Sequence, residues 1–319
     1  AKVYYWQYGW KQRTELKQLI NDVRPEVIYV NGLYSLYFNF LPLFYAVKFK
    51  HVNPSLNIVL SARGMLHPGA LSQKAFKKKI YLNLFRLLNI HRTVRWHATD
   101  QQELQFIKKA MGNEVEVKAA ANFPNLLDVT DRPLKKEGSL IMGTVALISP
   151  MKNHLEVLKA LQQLSASVEW HIFGPVKDEA YWKNCEALIH ALPENIKVFY
   201  HGELPPHLLS KAMAQFQVFI MPSKSENFGH AIVEALSAGK PVITSSTTPF
   251  ADLEMFNCGF ALSLETLQEG LQRSITSFAK MDEDEFVKAV TGTAEYIDQK
   301  IEKASLTKAY CSLFEDRIV

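Results

Sequence analysis

Apolar residues recur along this chain at two spacings, and the alternation between them predicts its architecture. From Lys11 to Asp22, Leu16, Leu19 and Ile20 share one helical face, and Pro25 ends that helix. Short apolar runs follow at Val27–Val30, Ile58–Leu60 and Val94–Ala98 and predict buried strands. A basic helix is predicted from Ser72 to Leu88, and another from Asp100 to Met111 with an acidic start and Gly112 as its stop. Leu33 to Val47 is apolar but broken by Ser35, Asn39 and Pro42, so it reads as a buried or interfacial segment and not as a membrane span. The polar stretch Asp131 to Gly138 predicts a linker.

After that linker the alternation is clearer. Strands are predicted at Leu140–Val145, Val168–Phe173, Ile196–Tyr200, Val218–Met221 and Val242–Thr244, with helices between them. Short apolar strands separated by helices build parallel sheets covered on both faces, and such sheets bind ligands outside their carboxyl ends. The loops after Val145, Phe173, Tyr200 and Met221 are therefore the candidate sites. The predicted fold class is α/β, with two Rossmann-like doubly wound domains. The domain boundaries read as 1–132 and 138–303, with a last helix within 304–319.

Composition adds little to that picture, but charge adds more. The chain of 319 residues is 48% hydrophobic and 21% charged, as expected of a globular enzyme. Its three cysteines, Cys185, Cys258 and Cys311, are too sparse for a disulfide framework and have no metal-ligand spacing, which points to a reducing, cytoplasmic setting. Residues 1–130 carry 18 Lys/Arg against 8 Asp/Glu, and no carboxylate occurs between Glu26 and Asp100. The first half thus faces something anionic. The run Gln73–Leu82 interleaves lysines with Phe76, Ile80 and Tyr81, a pattern suited to an anionic bilayer, where each Lys or Arg contributes about 1 kcal/mol. A solvated helix face is the plainer alternative for any one charge run. The localisation expected is cytoplasmic, peripheral at the inner membrane face.

The most informative segment runs from Met221 through Pro222-Ser223-Lys224-Ser225-Glu226-Asn227-Phe228-Gly229-His230 to Glu234 and Leu236. It leaves an apolar strand, turns, and enters a helix that stops at Gly239 with Pro241 beyond. Amides around Asn227, Phe228 and Gly229 would open a helix N-terminus, where the dipole favours a diphosphate. Gly229 allows close approach to the backbone. Glu226 and Glu234 lie eight positions apart, roughly 11–12 Å if the whole stretch were helical, which suits two ends of one extended ligand. Two glutamates alone would more often be a helix-start charge and a solvated face. The neighbouring Asn-Phe-Gly, Ala-Gly-Lys-Pro-Val-Ile and Thr-Pro-Phe shift that balance.

This segment resembles the donor site of the retaining glycosyltransferases of family 4, or group 1, with the two-domain GT-B fold. Their hallmark is a pair of glutamates separated by seven residues, here Glu226 and Glu234. Ser61-Ala62-Arg63-Gly64-Met65-Leu66, followed by Ala70-Leu71-Ser72-Gln73-Lys74, is similar to the N-domain of bacterial polysaccharide members. Ser149-Pro150-Met151-Lys152-Asn153 is similar to their phosphate loop, and Phe173-Gly174-Pro175 and His201-Gly202-Glu203-Leu204 to loops lining the donor pocket.

The resemblance implies that the two domains face a cleft and that the last helix, within 304–319, crosses back to the first domain. It implies that Glu226 holds hydroxyls of the donor sugar, that Asn227, Phe228 and Gly229 contact sugar and phosphate, that Glu234 binds the ribose, and that Lys152 neutralises the leaving diphosphate. Gly174 and Gly202 would line the pocket. Asn153 reads as a helix cap with Glu156 three residues on. A lysine at a helix start is electrostatically disfavoured unless an anion binds there. On the acceptor side stand Arg63, Gly64 and His67, of which Arg63 and His67 each have a plain structural alternative. The reaction implied moves a sugar from a nucleotide-sugar donor to an acceptor hydroxyl with retention, in bacterial cell-surface polysaccharide or lipopolysaccharide synthesis, with a glycan or lipid-linked acceptor. No metal, other cofactor or nucleic-acid partner is expected.

Two departures stand out. Leu147 occupies the position of a usual arginine on the diphosphate, and the family's glycine-rich first loop is absent, so the N-terminal domain reads as incomplete. A catalytically weak nucleotide-sugar-binding protein is the alternative. A phosphorylase or epimerase of the same fold, and a nucleic-acid binder, rank below it.

Overall fold

The computed structural model describes residues 11–72, 75–129 and 131–315. The chain folds into two units, Ala1–Phe123 with Lys303–Val319, and Pro124–Glu302.

Among the described residues, the first unit holds a four-stranded parallel sheet of β1 (Val27–Asn31), β2 (Asn57–Ser61), β3 (Arg95–Ala98) and β4 (Val117–Ala119), in that order. The three-residue β4 carries too little apolar sequence to have been predicted. The helix at Gln101–Met111 starts as expected: the Asp100 carboxylate accepts from the Glu103 amide, and Gly112 ends it at φ 108°. The basic segment differs from expectation. It forms a short helix at Pro68–Ser72 and a longer one at Ala75–Leu87, while Gln73 and Lys74 lie outside the described residues. Leu33 to Val47 also resolves into two pieces, a π-turn at Leu36–Phe40 and a helix at Leu41–Val52. Leu33, Leu43 and Ala46 of that stretch are buried in the core. The last helix, Lys303–Phe314, belongs to this unit. Its final carbonyls are held by the sheet: Asn57 Nδ2 donates to Phe314 O (2.9 Å) and Arg95 Nη1 to Leu313 O (3.0 Å).

The second unit holds six parallel strands. They are β5 (Ser139–Val145), β6 (Ser167–Phe173), β7 (Ile196–Tyr200), β8 (Val218–Met221), β9 (Val242–Ser245) and β10 (Gly259–Leu262). The sheet order is β10-β9-β8-β5-β6-β7. Successive residues point to opposite faces, as the pleat demands. Val218 and Ile220 pack with Trp170 and Leu158 on one side, and Phe219 and Met221 with Phe216 and Leu236 on the other. Both faces are thus covered, which is why the strands read as continuous apolar runs. Two Rossmann-like parallel sheets are the fold the hydrophobic pattern predicts.

Chain connectivity marks one point of the second sheet as a candidate site. From β5 the chain winds outward through β6 and β7, then returns to the other side of β5 at β8 and continues through β9 and β10. The order therefore reverses between β5 and β8. In doubly wound sheets ligands bind beside such a reversal, outside the carboxyl ends of the strands. The segments 146–153 and 222–229 are the loops that leave the carboxyl ends of β5 and β8.

Candidate functional site

The two loops are tied together by main-chain and side-chain bonds. The Lys224 amide donates to Met151 O (2.8 Å), and Asn153 Nδ2 donates to Pro222 O (2.7 Å). Asn153 does stand at the start of the helix His154–Leu161, but its backbone is left-handed (φ 57°) where a cap is extended, its side chain makes no cap bond, and its Nδ2 is turned to Pro222. Glu156 likewise does not reach back; it pairs with Lys159 and accepts from Gln268. The expected capping box is replaced by a clasp between the loops.

That clasp brings Lys152 to Glu226. Lys152 Nζ donates to Glu226 Oε1 as a short ion pair, with the two side chains 18% and 13% exposed. Sequence reasoning gave the two residues different ligand groups and not each other. The pairing accounts for a lysine at a helix start, since Glu226 supplies the anion it needs. An ammonium has three donors, so Lys152 can keep Glu226 and still reach a phosphate oxygen.

Glu226 precedes the helical part of its segment. The helix spans His230–Ser237 and opens on Gly229 at φ 75°. The helical spacing between Glu226 and Glu234 therefore does not apply, and the two carboxylates have separate partners. Glu234 accepts from Asn125 Nδ2 (3.3 Å) and is half-buried, and that burial raises its pKa, against the lowering by Asn125. Asn125 lies in a loop without sequence signal, and the reading of the sequence missed it. Among the described residues, the amides of Asn227, Phe228 and Gly229 donate to no other group of the chain. They stand beside the N-terminus of the 230–237 helix, an arrangement suited to an anion. Gly229 is needed twice over, for its positive φ and because a Cβ would sit 2.7 Å from Phe250 Cε2.

Gly174 and Gly202 follow β6 and β7 and are joined, the Gly174 amide donating to Gly202 O (2.7 Å). At φ 141° a Cβ on Gly174 would lie 1.9 Å from Ala146 O, in the loop after β5. The third strand-end loop thus abuts the first only because Gly174 has no side chain. Leu147, one residue on from Ala146, is 42% exposed.

Arg63, Gly64 and His67 belong to the first unit. Arg63, at φ 49°, follows β2 and is held by three side chains: Nε on Asn31 Oδ1 (2.8 Å), Nη1 in a short bond to Asn122, and Nη2 on Tyr29 OH (3.3 Å). Tyr29 OH in turn meets His97 Nδ1 (2.8 Å). The Gly64 amide donates to Glu103 Oε1 (2.6 Å). His67 is exposed, packs edge-on against Phe106, and its Nδ1 accepts from the Gly69 amide (3.1 Å). These three share a turn after β2, and Arg63 is built into a polar network that also includes Asn31, Asn122 and Tyr29.

The arrangement of the second unit has counterparts among known proteins. A family model described as "Glycosyl transferases group 1" matches residues 129–289, half of the chain. The chain belongs to this glycosyltransferase family. The sulfoquinovosyl transferase of Arabidopsis thaliana is 30% identical over 103 residues, which cover 32% of this chain and 19% of that protein. The 2-deoxystreptamine glucosyltransferase of Streptomyces kanamyceticus is 28% identical over 109 residues, 34% of this chain and 28% of that protein. The matches therefore span well under half of either relative. HepE of Anabaena, solved in complex with UDP and glucose, superposes with a TM-score of 0.66 at 18% identity, covering 95% of this chain and 80% of that one. WaaG, a glycosyltransferase involved in lipopolysaccharide biosynthesis, gives a TM-score of 0.60 at 14% identity, covering 97% of each chain. At these identities the likeness establishes a shared GT-B fold.

Proposed function

We propose that this group 1 glycosyltransferase binds a nucleoside diphosphate sugar at the carboxyl ends of β5 and β8 and transfers the sugar to an acceptor hydroxyl with retention, in the manner of family 4. The observation that carries the proposal is the Lys152–Glu226 pair at the point of strand reversal, beside unengaged amides at a helix N-terminus. Glu226 accepts hydrogen bonds from sugar hydroxyls, Lys152 faces the diphosphate, and Glu234 takes the ribose hydroxyls. In the transfer the acceptor oxygen bonds to the anomeric carbon on the face the diphosphate leaves. The carbon–oxygen bond to the diphosphate breaks, and the acceptor proton passes to the departing phosphate oxygen. Lys152 stabilises the negative charge that grows on that oxygen.

The donor sugar is assigned as a hexosyl-type group and the role as bacterial cell-surface polysaccharide or lipopolysaccharide synthesis. The complexes of HepE with UDP and glucose and the role given for WaaG support this reading. Arg63, Gly64 and His67 are assigned to a glycan or lipid-linked acceptor. No metal or other cofactor is assigned, the positive field coming from Lys152 and helix amides. One observation favours a second reading: exposed Leu147 supplies no charge where the resembled family places an arginine, which fits donor binding with weak turnover.

Thermal-shift titration with UDP, GDP, ADP and their sugars, paired with detection of released nucleoside diphosphate, tests both. A higher melting temperature with one nucleotide series and slow release supports transfer; a higher melting temperature without release supports the binding protein. An unchanged melting temperature at millimolar ligand would refute the site.

A further inference from the structure

The helix Ala75–Leu87 presents an apolar stripe to solvent, and we infer that this face seats the protein on an anionic lipid bilayer. At 3.6 residues per turn, Phe76, Ile80, Leu84 and Leu87 fall within an arc of about 80°. They are 77%, 54%, 42% and 82% exposed. The opposite arc carries Leu82 and Phe85, which are buried in the core of the first unit, and Tyr81, which packs against that core. Lys78 also turns inward, its ammonium lying 5.0 Å from the centre of the Tyr34 ring. The helix is thus fixed by one face while its other apolar face has no partner among the described residues. Four large apolar side chains at helical spacing, left in water, mark an interaction surface.

Charge decides the occupant. Lys77 borders the stripe on one side, and Lys79 and Arg86 border it on the other. Between Val27 and Thr99 the sequence contains 10 Lys/Arg and no Asp or Glu. Lysine is depleted at protein–protein interfaces, so a patch edged by lysines suits a protein partner poorly. An apolar stripe flanked by cations, on a helix that carries no acidic residue of its own, matches a bilayer whose surface is negative and whose interior is apolar. At 13 residues the helix is too short to span a membrane, and no helix among the described residues is long and apolar enough to do so. It therefore lies in the plane of the surface. This inference does not depend on the donor site, which is built from the other unit.

Flotation with vesicles of phosphatidylglycerol and phosphatidylethanolamine, beside vesicles of phosphatidylcholine alone, tests it on the whole chain. The expected result is binding to the anionic vesicles that weakens in high salt. It should fall about tenfold or more in Phe76→Ser/Leu87→Ser, whose thermal melt by circular dichroism should match wild type because both side chains are already in water. Lys77→Glu/Lys79→Glu should lose binding with the melt equally unchanged. Failure of wild type to float with anionic vesicles would overturn the proposal. So would flotation unchanged by the serine pair. A concentration-dependent dimer that the serine pair splits, without vesicle binding, would instead assign the stripe to a second copy of the chain and equally overturn it.

Discussion

Lys152 and Glu226, 74 positions apart in sequence, close an ion pair where the strand order of the second sheet reverses. The pair places a cation and a carboxylate side by side, so each sets the other's position. Lys152→Ala should lower turnover about 100- to 1000-fold, as loss of a preorganised charge facing a leaving group does, with a smaller effect on the donor KM. Glu226→Gln should cost a similar factor by weakening the hold on sugar hydroxyls. Because the residues act as a unit, the double variant should lose much less than the product of the two single losses. Release of nucleoside diphosphate in the four-member cycle checks this; unchanged rates in both single variants would sink the site assignment.

Glu234 lies within the 230–237 helix and is half-buried, with a pKa raised above the ordinary value of 4.5. The raised value means that the folded state holds this proton more tightly than the unfolded chain. Ionised Glu234 therefore destabilises the fold above its folded pKa, and the effect is absent well below 4.5. Glu234→Gln should raise Tm at pH 7 and leave it unchanged near pH 4, as read by thermal melts. The same variant should weaken binding of a ribonucleotide more than of its 2′,3′-dideoxy analogue, since the carboxylate is assigned to the ribose hydroxyls. Equal weakening of both nucleotides would remove that assignment.

Much of this was legible in sequence, and the parts that were not have physical reasons. The strand-to-helix unit from Val218 to Gly239 could be read directly, because a buried parallel strand, a glycine-opened helix and a glycine stop each leave a local signal. The six-stranded order had to wait for the structure, since register and neighbour choice are long-range. β10 was missed because Gly259–Leu262 is short and begins with a glycine. Asn125 was missed because its bond to Glu234 spans 109 residues and an exposed loop asparagine has no periodic context. Asn153 was read as a cap because cap propensity is local, while the Pro222 carbonyl that takes its side chain lies 69 residues away. The amphipathic basic helix was legible as a charge run. Which of its apolar residues stay in water depends on the core beneath it.

His154, the first residue of the helix after the 146–153 loop, is fully buried, and neither of its ring nitrogens has a hydrogen-bond partner among the described residues. Burial, aided by the nearby Lys152 charge, lowers its pKa to about 4, so the native ring is neutral. A depressed histidine contributes stability that is fully present above the unfolded value of 6.5 and is lost as pH falls towards 4. That loss should reach about 3 kcal/mol across the window, since each pH unit between the folded and unfolded values contributes about 1.4 kcal/mol. His154→Phe keeps a ring to lie against Trp170, whose centroid is 6.1 Å away, and removes the titration. Its Tm should match or exceed wild type at pH 7 and exceed it clearly at pH 5. Parallel pH profiles for the two proteins would show that His154 is not the group responsible.

Leu147 stands in the loop after β5, between Ala146, whose amide bonds Phe173 O, and Ile148, whose amide bonds Pro175 O. Those two bonds fix the backbone on either side, and the Leu147 side chain is 42% exposed, so a longer residue can be placed there without disturbing the core. Leu147→Arg would add a guanidinium to a strand-end loop that meets the diphosphate in the proposed complex, and arginine can hold phosphate oxygens in a bidentate fork. A charge-assisted bond is worth about 1.5–3 kcal/mol, so nucleoside diphosphate affinity should rise roughly tenfold or more. The gain should shrink with added salt and be smaller for the nucleoside monophosphate. If the diphosphate is bound elsewhere, isothermal titration will show no gain, and any non-specific effect of the new charge will be equal for mono- and diphosphate.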